Sequence, residues 1–477
     1  MLTGLSLSSL RVRPGDLYVA LPGSHAHGAQ YAGLALRAGA LAVLTDPDGL
    51  NLLPETTTAI TVDHPRSILG HLSSWMYGDP APALMMVGVT GTQGKTTTTW
   101  LAEGALQAGG INAAVIGTVG TRICGVDVKT ALTTPEAPDL HALLAVMREH
   151  AVAVCFMEVS SHALVLGRVD AVRFDLAVFT NLGRDHLDFH RDLEEYFTAK
   201  ATLFSPEHAK RGLVNLDDPY GRRLLAHASI PMRTFSADPS RLSGSEPAAD
   251  WQVTSVASSP SGSRAVVRTP AGVEIDLQVP MPGRFNVANA LAALAACAEV
   301  GFDPLAVAGC IRDGGGVPGR MEWISTGTEF PARDFGVVVD YAHKPDALRA
   351  ALSSLRERNP ARLIVVLGAG GDRDQGKRPI MGRVAAELAD MVVITDDNPR
   401  SEDPATIRAA IRAGTTQGLA QVAEIADREA AIAAAIAYAG SGDVVLIAGK
   451  GHETGQELAG VVSDFDDRVV AREVLSS

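Results

Sequence analysis

The sequence predicts an α/β protein of three domains: a small α/β domain first, then a central nucleotide-binding domain with a parallel sheet and a β insertion, then a second open, mostly parallel sheet. Three observations predict it. The chain has 477 residues, more than one hydrophobic core supports, so about two or three domains are expected. A glycine-rich loop stands between an apolar run and a helix-like segment near residue 90. Beyond residue 317, apolar strand-like runs alternate with helical stretches.

In the first part, residues 1–66, short β-like runs at 17–21, 41–44 and 59–62 accompany an alanine-rich helical stretch at 31–38. A helix-like linker at 66–77 ends at Gly78, Pro80 and Pro82, which break any helix before the next strand. The middle part, residues 67–317, carries strands at 84–87, 152–157 and 176–179. Between 236 and 283 its texture changes to Ser/Pro/Gly turns and alternating strands, read as the β insertion. In the last part, residues 318–477, strands at 336–339, 363–367, 391–394 and 444–447 are separated by helical stretches at 347–358, 407–413 and 428–439.

Composition narrows the function. A net charge of −13 argues against nucleic acid as a bulk partner, so anionic ligands must be met by local Arg and Lys. The four cysteines form no C-x-x-C pair, which suggests neither a zinc ribbon nor a disulfide framework and fits a reducing compartment. The first residues lack a leading basic region, so no signal peptide is read there. The longest apolar window, 287–298, contains Asn289 and is too short to span a bilayer. A cytoplasmic location is expected.

The stretch Gly88-Val-Thr-Gly-Thr-Gln-Gly-Lys-Thr-Thr-Thr98 is a phosphate-binding loop in pattern. Its glycines let backbone N–H groups turn onto phosphate oxygens, Lys95 adds a charge, Thr96 offers a hydroxyl to Mg²⁺, and the helix N-terminus adds its dipole. Val89 replaces the first glycine of the strict pattern; the alternative is a glycine turn with an incidental lysine, and the strand and helix on either side favour ATP or GTP.

Four further clusters carry chemistry. Glu158 ends a buried strand, where a carboxylate needs a cation or donors; beside the loop the cation is Mg²⁺, while the bland reading is a helix cap made by Ser160, Ser161 and His162. His186 and His190 lie four apart with Asp185 and Asp188 nearby, but the H-E-x-x-H order of zinc enzymes is missing, and a structural histidine is the commoner role. Arg320, at the domain joint, either reaches a phosphate or makes an interdomain salt bridge. Arg373 and Arg400 follow strands of one sheet, whose edge loops would bring them together to grip a carboxylate; the Gly449–Glu453 run ends a third strand on that edge.

With the loop, the Glu158-Val-Ser-Ser-His162 run, the Asn181-Leu-Gly-Arg-Asp-His-Leu-Asp188 run and Asp396-Asp-Asn-Pro-Arg400 in this order, the chain resembles the Mur ligases of peptidoglycan synthesis over nearly its whole length. The resemblance implies an N-terminal domain for a UDP group, a central ATPase domain and a C-terminal Rossmann-like domain for an amino acid. It implies that Gly91, Thr92, Gln93, Gly94, Lys95, Thr96 and Thr97 hold ATP phosphates, with Asn286, Asn289, Arg320, Asp340 and His343 lining the nucleotide. Mg²⁺ would be served by Thr96, Glu158, His186 and Lys200, the last as a carbamate, because a bare ammonium repels the ion. Lys95, Glu158, His186, Lys200 and Arg320 are the implied catalytic set.

For a UDP-N-acetylmuramoyl-dipeptide, Leu7, Ser9, Ser24, His25, Ala26, Thr133, Thr134, Ser160 and Arg168 fall on family positions. The family's usual Asp-Ser-Arg reads Ser8-Ser9-Leu10 here, and a glutamine seen in some relatives is Leu166. Arg373, Asp397, Asn398, Pro399, Arg400, Gly449 and Glu453 form the implied amino-acid pocket, and Arg400 favours meso-diaminopimelate over lysine or ornithine. The implied reaction is ATP-dependent, ADP-forming ligation of that amino acid to the D-glutamate of the dipeptide through an acyl phosphate, by a monomer. A folylpolyglutamate-synthase-like ligase would not need residues 1–63, and a non-catalytic nucleotide-binding protein would not need Lys200 or the arginine pocket.

Overall fold

The computed structural model describes residues 2–23, 26–243, 248–259, 262–314, 316–324 and 335–476. Its described strands form a four-stranded, an eleven-stranded and a six-stranded sheet, plus one separate hairpin. In the first sheet, Gly4–Ser6, Asp16–Val19, Ala42–Thr45 and Ala59–Thr61 run parallel in that order. Gly4–Ser6 escaped the sequence reading because three residues are too few to show a period. The linker helix is Pro65–Met76, with proline in the first turn, where no N–H is required.

At the middle of the second sheet lies Met85–Thr90, with Leu176–Phe179 on one side and Val154–Glu158 on the other, both parallel to it. These strands read as unbroken apolar runs because both faces are covered. Val87 and Val89 pack under the helices Lys95–Ala108 and Arg284–Glu299, while Met86 points oppositely, toward Leu140 and Leu144 of Ala137–Glu149. The expected β insertion is the meander Trp251–Ser259, Gly262–Arg268 and Glu274–Val279, joined to the central sheet by parallel pairing of Trp251 with Phe235. The opposite edge carries the unanticipated strands Gly120–Ile123 and Val126–Val128.

The third sheet orders Glu322–Trp323, Gly336–Asp340, Val444–Ala448, Leu363–Leu367, Met391–Ile394 and Gln421–Glu424, all parallel except the first. The helix Lys377–Leu388 was hidden from the sequence reading by Pro379 and Gly382; the proline falls in the first turn, where it is tolerated. Among the described residues no helix is long and apolar enough to cross a membrane. Chain direction in both larger sheets delivers the loops after Thr90, Glu158, Phe179, Asp340, Leu367, Ile394 and Ala448 to carboxyl edges, where open α/β sheets bind ligands.

The last helix, Asp467–Ser476, is fastened by a buried ion pair: Arg428 donates two 2.7 Å hydrogen bonds to Asp467, and both side chains are fully buried. Arg428→Met is expected to destabilise the C-terminal domain by about 3–5 kcal/mol, because it strands a buried carboxylate. Arg428→Met with Asp467→Leu should recover most of that loss in urea unfolding monitored on this domain; equal loss in both variants would show that packing, not charge, dominates.

Candidate active site

A cleft of about 800 Å³ opens between the carboxyl edges of the central and C-terminal sheets. Gln93, Gly94, Lys95, Thr96 and Thr97 form its floor, with Thr92 beside them. Gly94 has φ +86° and caps the helix Lys95–Ala108 without a side-chain bond, so the first-turn N–H groups face the cleft. The loop is tied from behind. Asn181 Oδ1 accepts from Gln93 N at 2.9 Å, and Thr180 donates to Gln93 O at 2.6 Å. Lys95 donates to the carbonyls of Gly91 and Thr92 at 2.9 and 3.1 Å, and burial lowers its ammonium to about 8.

Glu158, fully buried, ends its strand with the carboxylate held by Thr118: the backbone N–H donates at 2.8 Å and the hydroxyl at 3.1 Å. Gly117 is what admits it, since a Cβ there would collide with the carboxylate. The cap reading belongs instead to Ser160, whose hydroxyl accepts from Ala163 N, while Thr134 donates to the Glu158 carbonyl at 2.8 Å. Glu158, Thr96 and His186 line the same cleft. His186 sits in a left-handed turn, φ +52°, 3.0 Å from Asp185, and burial lowers its imidazole to about 4 despite that carboxylate. It is therefore neutral at pH 7.

His190 is not its partner. The segment is no helix, and His190 is buried against Ser161 Oγ at 2.8 Å. Among the described residues no three His, Cys, Asp or Glu side chains converge as a metal cage. Lys200 lies beneath the loop rather than in the cleft lining, donating to Gly91 O at 2.9 Å, with its Nζ 4.6 Å from the Tyr196 ring centroid. Burial, with repulsion from Lys95, pushes its ammonium well below the ordinary lysine value.

The C-terminal domain closes the cleft from above. Arg320 donates to the Thr96 hydroxyl at 3.2 Å and stacks 4.3 Å from the Tyr341 ring centroid, so it aims at the phosphate loop; its buried Nε has no partner among the described residues. Asp340, at its strand's end, accepts from the N–H groups of Met321 and Ala342; His343 bonds the Tyr341 carbonyl at 2.8 Å. Asn286 and Asn289, on the Arg284–Glu299 helix, line the cleft, and Asn289 abuts Gly94. Lys344 pairs with Asp185 across the domains; burial would raise the Asp185 carboxyl, but Lys344 and His186 outweigh it and hold it below its usual value.

Thr133, Thr134, Ser160 and Arg168 line the far side of the cleft. Glu136 bridges Arg168 at 2.9 Å and Arg66 at 3.2 Å, linking that side to the linker helix. Leu7, Ser9 and Ala26 lie on the N-terminal domain, outside the cleft lining; Ser24 and His25 fall outside the described residues.

Arg373 and Arg400 do come together: a Cβ on Gly370 would lie 2.9 Å from an Arg400 nitrogen and 3.9 Å from Arg373 Cγ. Arg400 has φ +53°, donates to Gly371 O at 2.7 Å and pairs with Glu457 at 3.4 Å. Asn398 donates to Glu453 at 2.8 Å; Asp397 abuts Gly449, and Pro399 sits between Asn398 and Arg400 in the same loop. Thr118, Lys344, Tyr341, Glu136 and His452 were not given roles from the sequence; Tyr341, Lys344 and His452 each neighbour a residue that was, whereas Thr118 and Glu136 carry no spacing signal.

Three domain families match the chain in the order of its sheets: Mur ligase family, catalytic domain, over 2–75; Mur ligase middle domain over 89–297; and Mur ligase, glutamate ligase domain, over 319–451. The chain belongs to the Mur ligase family. It is similar to the UDP-N-acetylmuramoyl-L-alanyl-D-glutamate--2,6-diaminopimelate ligase of Streptomyces avermitilis, 50% identical over 99% of this chain and 92% of that one. The UDP-N-acetylmuramyl-tripeptide synthetase of Leifsonia xyli is 43% identical over 98% and 91%. Among solved structures, a UDP-N-acetylmuramoyl-L-alanyl-D-glutamate--2,6-diaminopimelate ligase matches with TM-score 0.68 and 33% identity, covering 100% of this chain and 95% of that chain.

Phosphate binding should raise the lowered Lys95 ammonium, so binding takes up a proton above pH 8. ADP affinity is expected to be full below pH 8 and to fall above it, by up to about tenfold per pH unit. Titration calorimetry from pH 7 to 9.5 checks this. Lys95→Met should bind weakly with a flat profile, and a flat wild-type profile would contradict the assignment.

Proposed function

We propose that the chain joins meso-2,6-diaminopimelate to the D-glutamyl γ-carboxylate of UDP-N-acetylmuramoyl-L-alanyl-D-glutamate at the expense of ATP, as a cytoplasmic monomer. The observation that carries the reading is Arg373 in the lining of a cleft floored by a phosphate loop, with Arg400 packed against the same Gly370–Arg373 loop from behind. Domain limits near 66 and 317 fit it, and the similarity to diaminopimelate-adding ligases supports it. The Leifsonia relative's name leaves the amino acid open, so lysine or ornithine is the second reading.

The chemistry follows from charge. A carboxylate oxygen attacks the γ-phosphorus and ADP leaves; both reactants are anionic, so Lys95, Arg320 and the helix N-terminus must offset the repulsion. An amine then attacks the acyl phosphate, a proton is lost and phosphate leaves. Thr133, Thr134, Ser160 and Arg168 are proposed to hold the dipeptide end, with Leu7, Ser9, Ser24, His25 and Ala26 toward the UDP group. Asn286, Asn289, Asp340 and His343 are proposed to line the nucleotide.

Mg²⁺ fits the donors present: the fixed Glu158 carboxylate, the Thr96 hydroxyl and a neutral His186, with remaining positions left to phosphate oxygens and water. Bound there, it would neutralise phosphate charge. Lys200 supports a carbamate reading. A lysine buried without a carboxylate contact and driven toward its neutral form has a lone pair free to add to CO₂, losing a proton, and the resulting carbamate N–H can still donate to Gly91 O.

Phosphate release with the UDP-dipeptide and each of diaminopimelate, lysine and ornithine tests the function; preference for lysine would overturn the first reading. Lys200→Ala is expected to lose about 10²-fold or more in kcat, as for other groups that stabilise transferring phosphate. In ¹³C-bicarbonate the wild type should show a carbamate resonance that the variant lacks; its absence from the wild type would remove the carbamate.

Arg400→Ala should cost diaminopimelate about ten- to hundredfold in kcat/KM, the worth of a charge-assisted hydrogen bond, while the KM for ATP stays near wild type. Lysine should lose less, because its ammonium no longer meets a fixed cation. Equal losses for both amino acids would place Arg400 at their common end.

A further inference from the structure

The Gly449–Glu453 loop leaves the Val444–Ala448 strand with two grips of different direction. Lys450 is fully buried and spends its donors on Asn398 Oδ1 at 3.0 Å, Glu453 at 3.2 Å and Gly455 O at 2.6 Å, which fixes the amino-acid side of the loop. Between them His452 turns the other way, into the central domain, where its Nε2 lies 3.2 Å from the Thr118 carbonyl oxygen. A carbonyl only accepts, so Nε2 carries the proton, and the buried Nδ1 has no partner among the described residues. Gly451 is pressed between Tyr341 and the Gly319 carbonyl, so that a Cβ there would come within 2.7 Å of each. The loop therefore has little room to shift one residue without the next.

We propose that His452 is a positioning residue that couples the amino-acid pocket to the nucleotide side: it holds Thr118 by its carbonyl while Thr118 holds the Glu158 carboxylate by its N–H and hydroxyl. Glu453 and His452 are consecutive, so an amino acid that engages Glu453 acts on the bond to Thr118 through a single peptide unit. Thr118 has no other route to the C-terminal domain's loop than this histidine in the described hydrogen bonds. The kinetic consequence rests on the ligase reading; the mechanical one does not.

His452→Leu removes the donor, and His452→Gln keeps one at similar reach. In the ligand-free protein, hydrogen exchange at the Thr118 amide should speed up about two- to tenfold in His452→Leu, the worth of one neutral hydrogen bond, and stay at the wild-type rate in His452→Gln. In the active enzyme, diaminopimelate should tighten binding of a non-hydrolysable ATP analogue, with dipeptide present, in the wild type and His452→Gln but not in His452→Leu. Unchanged exchange in His452→Leu, or a His452→Gln variant no better than His452→Leu, would overturn the proposal. A wild type with no amino-acid-dependent turnover would instead remove the ligase reading and leave the exchange result to decide the contact.

Discussion

Charge is buried where two sheet edges face one another, and the rest of the cleft is arranged around that constraint. A carboxylate at the end of a buried strand costs several kcal/mol unless donors meet it. Glu158 is met by both donors of Thr118, and Gly117 leaves the room for it. Two lysines, half-buried Lys95 and buried Lys200, lie close by and rest on backbone carbonyls of the phosphate loop rather than on carboxylates. Each is pushed toward its neutral form by burial. Such a site holds its charges under tension, and an anionic ligand with its own cation relieves that tension in a way that water cannot.

The strands and helices that carry this constraint were largely legible in the sequence, because both-face burial writes itself as continuous apolar runs. Leu176–Phe179, Leu363–Leu367 and Met391–Ile394 have the limits the pattern indicated. The phosphate loop was legible for the same reason: glycines between a strand and a helix have few other uses. The juxtaposition of Arg373 and Arg400 followed from sheet direction alone. What spacing could not show was contact between residues far apart in the chain. Thr118 is an ordinary residue after an ordinary strand, and it matters only because Glu158 ends the neighbouring strand. For His186 and His190 the sequence reading favoured a structural histidine over a shared metal face, and His190 is one: the chain turns at His186 and sends His190 into the core.

Contacts between the two larger domains show why the cleft is more than a gap. Arg320 reaches Thr96, Lys344 reaches Asp185 and His452 reaches Thr118. All three come from loops on the carboxyl edge of one sheet or from the segment packed beside it, and all three land on residues that touch the phosphate loop, its flanking histidine or the buried carboxylate. These three contacts are polar, and Phe285 of the central domain adds an apolar one by packing against the core of the C-terminal domain. A cation reaching a hydroxyl or a carboxylate also depends on the local charge, so nucleotide bound on the floor would change the balance at Arg320 and Lys344 together. Neighbouring loops of the same sheet edge carry Arg373 and Arg400, and the His452 loop carries Glu453. One sheet edge thus carries both the cations that face the phosphate loop and, in the proposed function, the groups that would meet the amino acid. Chemistry that must form an acyl phosphate before the amine arrives needs those two reaching groups held in fixed relation, and a single sheet edge supplies that relation without any further element.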